Sequence, residues 1–215
     1  MRALTPLEAR VLGVLVEKQH TVPDTYPLSL NSLVAGVNQK TARDPVINAT
    51  EAEVLTALDG LKALSLVFEG SGSRVVRFEH NMARVFSLPA ASVALLTLLM
   101  LRGPQTAAEL RLHCERLHRF ADISSVEGFL DEMAGKEPAR VVKLPRTAGE
   151  REARWAHLLC GEVAFEPAAL AAGEGGVSSG EIAALKAEQT RLAAEVAQLR
   201  ELVQRMAAEL GIDAG

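Results

Sequence analysis

The sequence predicts a mainly α chain with small β-hairpins, an α+β protein. Three observations predict it. Capping signals of the form Thr-x-x-Glu open apolar stretches of helical period at Thr5, Thr50 and Thr106. Two pairs of β-rich runs bracket polar turns, one pair between Leu66 and Glu79 and the other between Arg140 and Leu159. An apolar heptad then runs unbroken from Ile182 to Leu210. Aromatic residues make up only 4% of a chain that is 48% hydrophobic, so Ala, Leu and Val must fill the cores.

Each element follows from local chemistry. Thr5-Pro6-Leu7-Glu8 places an N-cap, a proline at the first helical position and a glutamate three residues after the cap, and Leu7, Val11 and Leu15 supply an apolar face. The prolines of Thr21–Leu28 end that helix. Ser29 caps a short second helix with Leu30, Leu33, Val34 and Val37 inward, and Asn38–Asn48 is a polar turn region. Thr50 and Glu53 open a third helix carrying Val54, Leu55, Leu58, Leu61 and Leu64. Leu66–Glu69 and Arg74–Glu79 then flank Gly70-Ser71-Gly72-Ser73 and predict a hairpin.

Three helices followed by a hairpin is the order of a winged-helix domain, here over 1–80. That order repeats over 81–166. Pro89–Leu101 is an apolar helix stopped by Gly103-Pro104, Thr106 and Glu109 open a helix through about Leu117, and Val126–Met133 sits in another. Arg140–Leu144 and Ala153–Leu159 bracket the second hairpin turn. Small residues and glycines over 167–180 form a flexible linker, and 181–215 holds the coiled-coil helix and tail.

That helix places Ile182, Gln189, Val196, Val203 and Leu210 at heptad position a, and Leu185, Leu192, Leu199 and Met206 at d. A seam of this kind predicts a homodimer, with folding back of the helix onto its own winged-helix domains as the alternative. Glu181 opposite Lys186 and Glu195 opposite Arg200 of a second copy favour parallel pairing.

Several stretches carry a resemblance. Leu4–Gln19 (LTPLEARVLGVLVEKQ), Thr21–Val46 (TVPDTYPLSLNSLVAGVNQKTARDPV), Gly72–His80 (GSRVVRFEH), Leu101–Arg111 (LRGPQTAAELR) and Leu144–Leu158 (LPRTAGEREARWAHL) resemble the bacterial YceH-like family. The resemblance implies two winged-helix domains with a C-terminal helix, and no established activity. Val37 stands where members of that family often carry Cys, which argues against a thiol role at this position.

Charge and motifs narrow the function. Residues 1–80 carry 8 basic and 9 acidic side chains, and 81–167 carry 11 of each, so a nucleic-acid partner must rest on local patches. The candidates are Lys40 and Arg43 before the third helix, Arg74 and Arg77 in the first wing, and Arg140, Lys143, Arg146, Arg151 and Arg154 around the second. Both third helices are acidic instead: Glu51, Glu53 and Asp59 in one, Glu127, Asp131 and Glu132 in the other. Contacts to duplex DNA are therefore expected to be backbone contacts of weak sequence specificity, with a protein-binding adaptor as the alternative.

No Gly-rich phosphate loop, GxSxG or HExxH occurs, so no enzyme and no cofactor are expected. His113, Cys114 and His118 have helical ligand spacing, yet Leu110, Cys114 and Leu117 continue an apolar stripe, so the thiol reads as core and no metal is expected. Cys114 and Cys160 lie far apart and fit two reduced thiols. Met1–Leu7 lacks the pattern of a secretory signal, and Pro89–Leu101 spans about 13 residues where a membrane helix needs roughly 20. The expectation is a cytoplasmic protein with no membrane partner.

Overall fold

The computed structural model describes residues 1–70, 75–146 and 152–162. Arg74, Arg151, the first-wing turn at Gly72, the 167–180 linker and the whole heptad from Ile182 to Leu210 lie outside the described residues. The described residues belong to one compact unit, Met1–Pro167. It is mainly helical with two small antiparallel sheets.

Helix α1 (Pro6–Thr21) starts on a complete capping box: Thr5 Oγ1 accepts from the Glu8 N–H, and Glu8 Oε2 accepts from the Thr5 N–H at 2.7 Å. A single-turn 3-10 helix (Pro23–Thr25) leads into strand β1 (Leu28–Ser29) and helix α2 (Leu30–Val37), capped by Ser29. Helix α3 (Glu51–Ala63) has its capping box at Thr50 and Glu53. Strands β2 (Val67–Gly70) and β3 (Arg77–His80) form the hairpin, and β3 also pairs with β1, which gives the sheet order β1-β3-β2.

Helix α4 (Met82–Phe86) leads into helix α5 (Ala90–Arg102). Helix α6 (Ala107–His113) starts on the third capping box, at Thr106 and Glu109, and stops four residues short of Leu117 because Cys114 takes the chain into a turn: its carbonyl accepts from both Leu117 N and His118 N at 2.8 Å. Helix α7 (Ile123–Ala134) is capped by Asp122, and β4 (Val141–Lys143) pairs with β5 (Trp155–His157).

The two halves repeat one feature that their hairpins alone do not predict. In each, the segment ahead of the second helix pairs with the last strand: Leu28 lies opposite Phe78 in the first half, and Gln105 bridges Trp155 in the second. Two backbone hydrogen bonds, of 2.7 and 3.1 Å, close the Gln105–Trp155 bridge.

One continuous core joins the halves, because α1 packs on α5. Leu12, Leu15, Leu95, Leu96 and Leu99 are at most 1% exposed. Gly13 sits at the closest approach, where an added Cβ would come within 2.9 Å of Leu101 Cδ2. Gly103 ends α5 at φ +71 and ψ −160, a combination that is essentially glycine-only. Gly103→Val is expected to destabilise the unit by at least about 1 kcal/mol. A urea unfolding midpoint equal to that of the unsubstituted protein would remove Gly103 as the element that fixes this turn.

Candidate nucleic-acid interface

The cationic residues of the first half are mostly committed. Arg43 is buried, with no side-chain exposure. Its Nη2 and Nη1 reach Glu17 Oε2 and Oε1 at 2.5 and 3.3 Å, and its Nε donates to the Gly36 carbonyl at 3.2 Å. The expectation that Arg43 contacts a phosphate is therefore corrected: a guanidinium sealed in the core cannot reach one. Arg77 is exposed but donates to the carbonyls of Pro27 and Thr25 at 2.7 and 3.2 Å. Lys62 of α3 is held by Glu69 and Asp59 at 2.8 and 3.0 Å, so the open face of that helix presents Glu51, Glu53 and Asp59 around Leu55. Lys40 stays exposed.

The second half is arranged differently. Arg140 lies half-buried with its guanidinium 4.7 Å from the Phe86 ring centre, and Arg154 pairs with Glu109 at 3.0 Å. Lys143 stands 5.3 Å over the Trp155 ring and is exposed, as is Arg146. These two line a hollow of about 330 Å³ with Ile123 and Glu127 of α7, Glu152 and Trp155. Arg111 and Arg119 line a second hollow, of about 660 Å³, with Leu112, Glu115, Phe120 and Ala121. Arg111 Nη2 donates to the Ala121 carbonyl at 3.1 Å, which pins α6 to the residues just ahead of α7.

Arg111, Arg116 and Arg119 were not among the residues expected from sequence to contact DNA. In the sequence this stretch, RLHCERLHR, stands out for its ligand spacing, although three arginines within it are themselves the signal of a cationic turn. The three ligand-type side chains part company in the fold. His113 Nδ1 lies 2.8 Å from Gln105 Oε1, His118 meets Phe120 edge to face, and Cys114 is fully buried with its thiol pushed up to about 12 by desolvation. Among the described residues, no three His, Cys, Asp or Glu side chains are placed to hold a metal ion.

Comparison with known proteins bears on identity at this point. A family model described as a protein of unknown function, DUF480, matches residues 4–150. The chain belongs to the DUF480 family. It is 70% identical to a UPF0502 protein of Burkholderia thailandensis and 71% identical to one of Paraburkholderia xenovorans, in each case over all of this chain and 92% of the relative. A UPF0502 protein of Leptothrix cholodnii is 67% identical, covering 99% of this chain and 97% of its own. These names agree with the YceH-like resemblance, and neither they nor the family description carries a biochemical activity.

In this DUF480 chain Arg111 of α6 and Arg119 of the following turn line one hollow, Lys143 of β4 and Arg146 line another with Ile123 and Glu127 of α7, and Arg116 is exposed. Glu115, Glu127 and Glu152 lie among them. Asp122 is exposed at the start of α7 and caps it: Ser125 donates to Oδ1 from both N–H and O–H at 2.7 Å, which holds the carboxyl below its ordinary range. No described helix is long and apolar enough to cross a membrane.

Proposed function

We propose that this chain is a non-enzymatic, cytoplasmic tandem winged-helix protein that associates with duplex nucleic acid through the second of its two domains. The fold reading is supported by the order of helices and closing hairpin that recurs in both halves, with strand β1 ahead of the second helix in the first half and a single-residue bridge at Gln105 at the corresponding place in the second. In a winged helix the third helix and its preceding turn face the duplex and the wing lies along the backbone. The observation that carries the nucleic-acid reading is that Lys143 and Arg146 share a hollow with Ile123 and Glu127 of α7, the third helix of the second domain, while Arg111, bonded to Ala121 just ahead of that helix, lines a second hollow with Arg119. The face of α7 itself, with Glu127, Asp131 and Glu132 exposed, offers no base-reading Arg or Lys, so contacts go to phosphates and sequence specificity is weak. The heptad residues beyond 181 would pair two copies and present two such surfaces to one duplex.

A second reading is favoured by the first domain. Acidic α3 carries Leu55 at 40% exposure, with Phe68 of the adjacent hairpin at 45%, a surface suited to a protein partner. Fluorescence anisotropy with a random-sequence duplex separates the two. Arg111→Ala with Arg119→Ala is expected to weaken binding at least tenfold and to flatten the salt dependence by about 1 unit of slope for each phosphate that is no longer neutralised. Lys40→Ala should leave both unchanged. Folded variants that bind like the unsubstituted protein would leave the adaptor reading in possession.

A further inference from the structure

A buried ion is ordinarily paired, because an uncompensated charge removed from water is costly. Arg10 of α1 departs from this. The residue is 3% exposed and makes no ion pair among the described residues. Nη2 donates to the Pro45 carbonyl at 2.8 Å and Nη1 to the Val37 carbonyl at 3.5 Å, while Nε has no acceptor. Arg43 repels it, and Glu17, which answers Arg43, is already shared with Lys18 at 3.5 Å. Asp44 alone offsets Arg10, through space.

Arg10 lines a cavity of about 530 Å³, within the range of small-molecule sites. Its apolar wall comes from Leu7 and Ala9 of α1, Ile47 and Ala49 of the segment before α3, and Leu99 and Met100 of α5. His157 of β5 lines it too, and His157 Nδ1 is a second buried polar atom without a partner. Two of the four such atoms among the described side chains therefore belong to residues on this one cavity.

We propose that this cavity binds a small amphipathic carboxylate, its chain against the apolar wall and its carboxylate paired with the Arg10 guanidinium. A carboxylate supplies the counter-charge that Arg10 lacks. An alcohol supplies an acceptor without the charge, and an ammonium adds repulsion. The acidic residues of the lining do not reverse this preference. Glu53 accepts from the N–H and O–H of Thr50, both at 2.7 Å, and Asp44 is exposed at the rim. Because α1 and α5 both wall the cavity, a bound molecule also ties the two halves of the core together.

Isothermal titration of the full-length protein tests this with octanoate, 1-octanol and octylamine as probes. Octanoate is expected to bind saturably at one per chain, at least tenfold more tightly than either of the others. Ala49→Phe, which fills the cavity and leaves Arg10 in place, should abolish octanoate binding. Arg10→Gln should bring octanoate down to the level of octanol. Cys160 lines the same cavity, so its alkylation should slow in octanoate and not in octylamine, a readout that needs no substitution at Arg10. Absence of saturable octanoate binding, equal affinity for octanol, or unchanged binding in a folded Ala49→Phe protein would each overturn the assignment.

Discussion

Arg43→Met is expected to destabilise the protein by about 3–5 kcal/mol, the cost of breaking a buried ion pair from one side. Arg43 closes a two-point contact with Glu17 and also donates to the carbonyls of Gly36 and Ala42. Its removal leaves the Glu17 carboxylate, 16% exposed, with Lys18 as its remaining cation at 3.5 Å. Two carbonyls lose their donor as well. Arg43→Lys should recover part of the loss, since a point charge satisfies one oxygen and cannot reproduce the fork. Lys40→Met, at an exposed position, should stay within about 0.5 kcal/mol. Urea unfolding of the three variants checks the order. An Arg43→Met midpoint as close to the unsubstituted protein as that of Lys40→Met would contradict the buried pair.

Stability is also expected to fall as pH is lowered from about 6.5 toward 4. Burial pushes His80 and His157 down to about 4 from the ordinary 6.5, with His20 adding repulsion at His80. His80 is held neutral: Nδ1 accepts from Met82 N at 3.3 Å, which leaves Nε2–H to donate to Gln19 Oε1 at 2.7 Å. The unfolded chain takes up protons at both imidazoles below about 6.5 while the folded chain does not. Stability therefore drops with falling pH and levels off only below the folded values near 4. Each histidine contributes up to about 3 kcal/mol across that window. Glu8 and Asp122 act in the same direction but at lower pH, since hydrogen bonds hold both carboxyls below their ordinary 4.5 and 3.8. The window above pH 4.5 belongs to the imidazoles. His80→Gln with His157→Gln should flatten the curve between pH 6.5 and 4.5, and a flat curve in the unsubstituted protein would contradict the buried neutral state.

The capping boxes at Thr5, Thr50 and Thr106 were legible because each is complete within four residues. Both hairpins were legible from β-rich runs around polar turns. Strand β1 was not, since two residues in a proline-rich stretch carry no period, and neither was the single-residue bridge at Gln105. Charge was legible and its commitment was not. Arg43 finds Glu17 across 26 positions and Arg154 finds Glu109 across 45, distances at which no spacing rule operates. The same limit hides the Arg10 cavity, whose walls come from four separated segments.

The nucleic-acid reading stands most directly on salt dependence. Anisotropy of a random-sequence duplex, titrated with the full-length protein from low to physiological salt, measures it without any substitution. Four phosphate contacts per chain, one each from Arg111, Arg119, Lys143 and Arg146, correspond to a slope of log affinity against log salt between about −3 and −4 for one chain on the duplex, and about twice that where two paired copies share it. That slope, unchanged when the duplex sequence is altered, is the expected result. No binding at the lowest salt, or binding whose affinity is independent of salt, would contradict it.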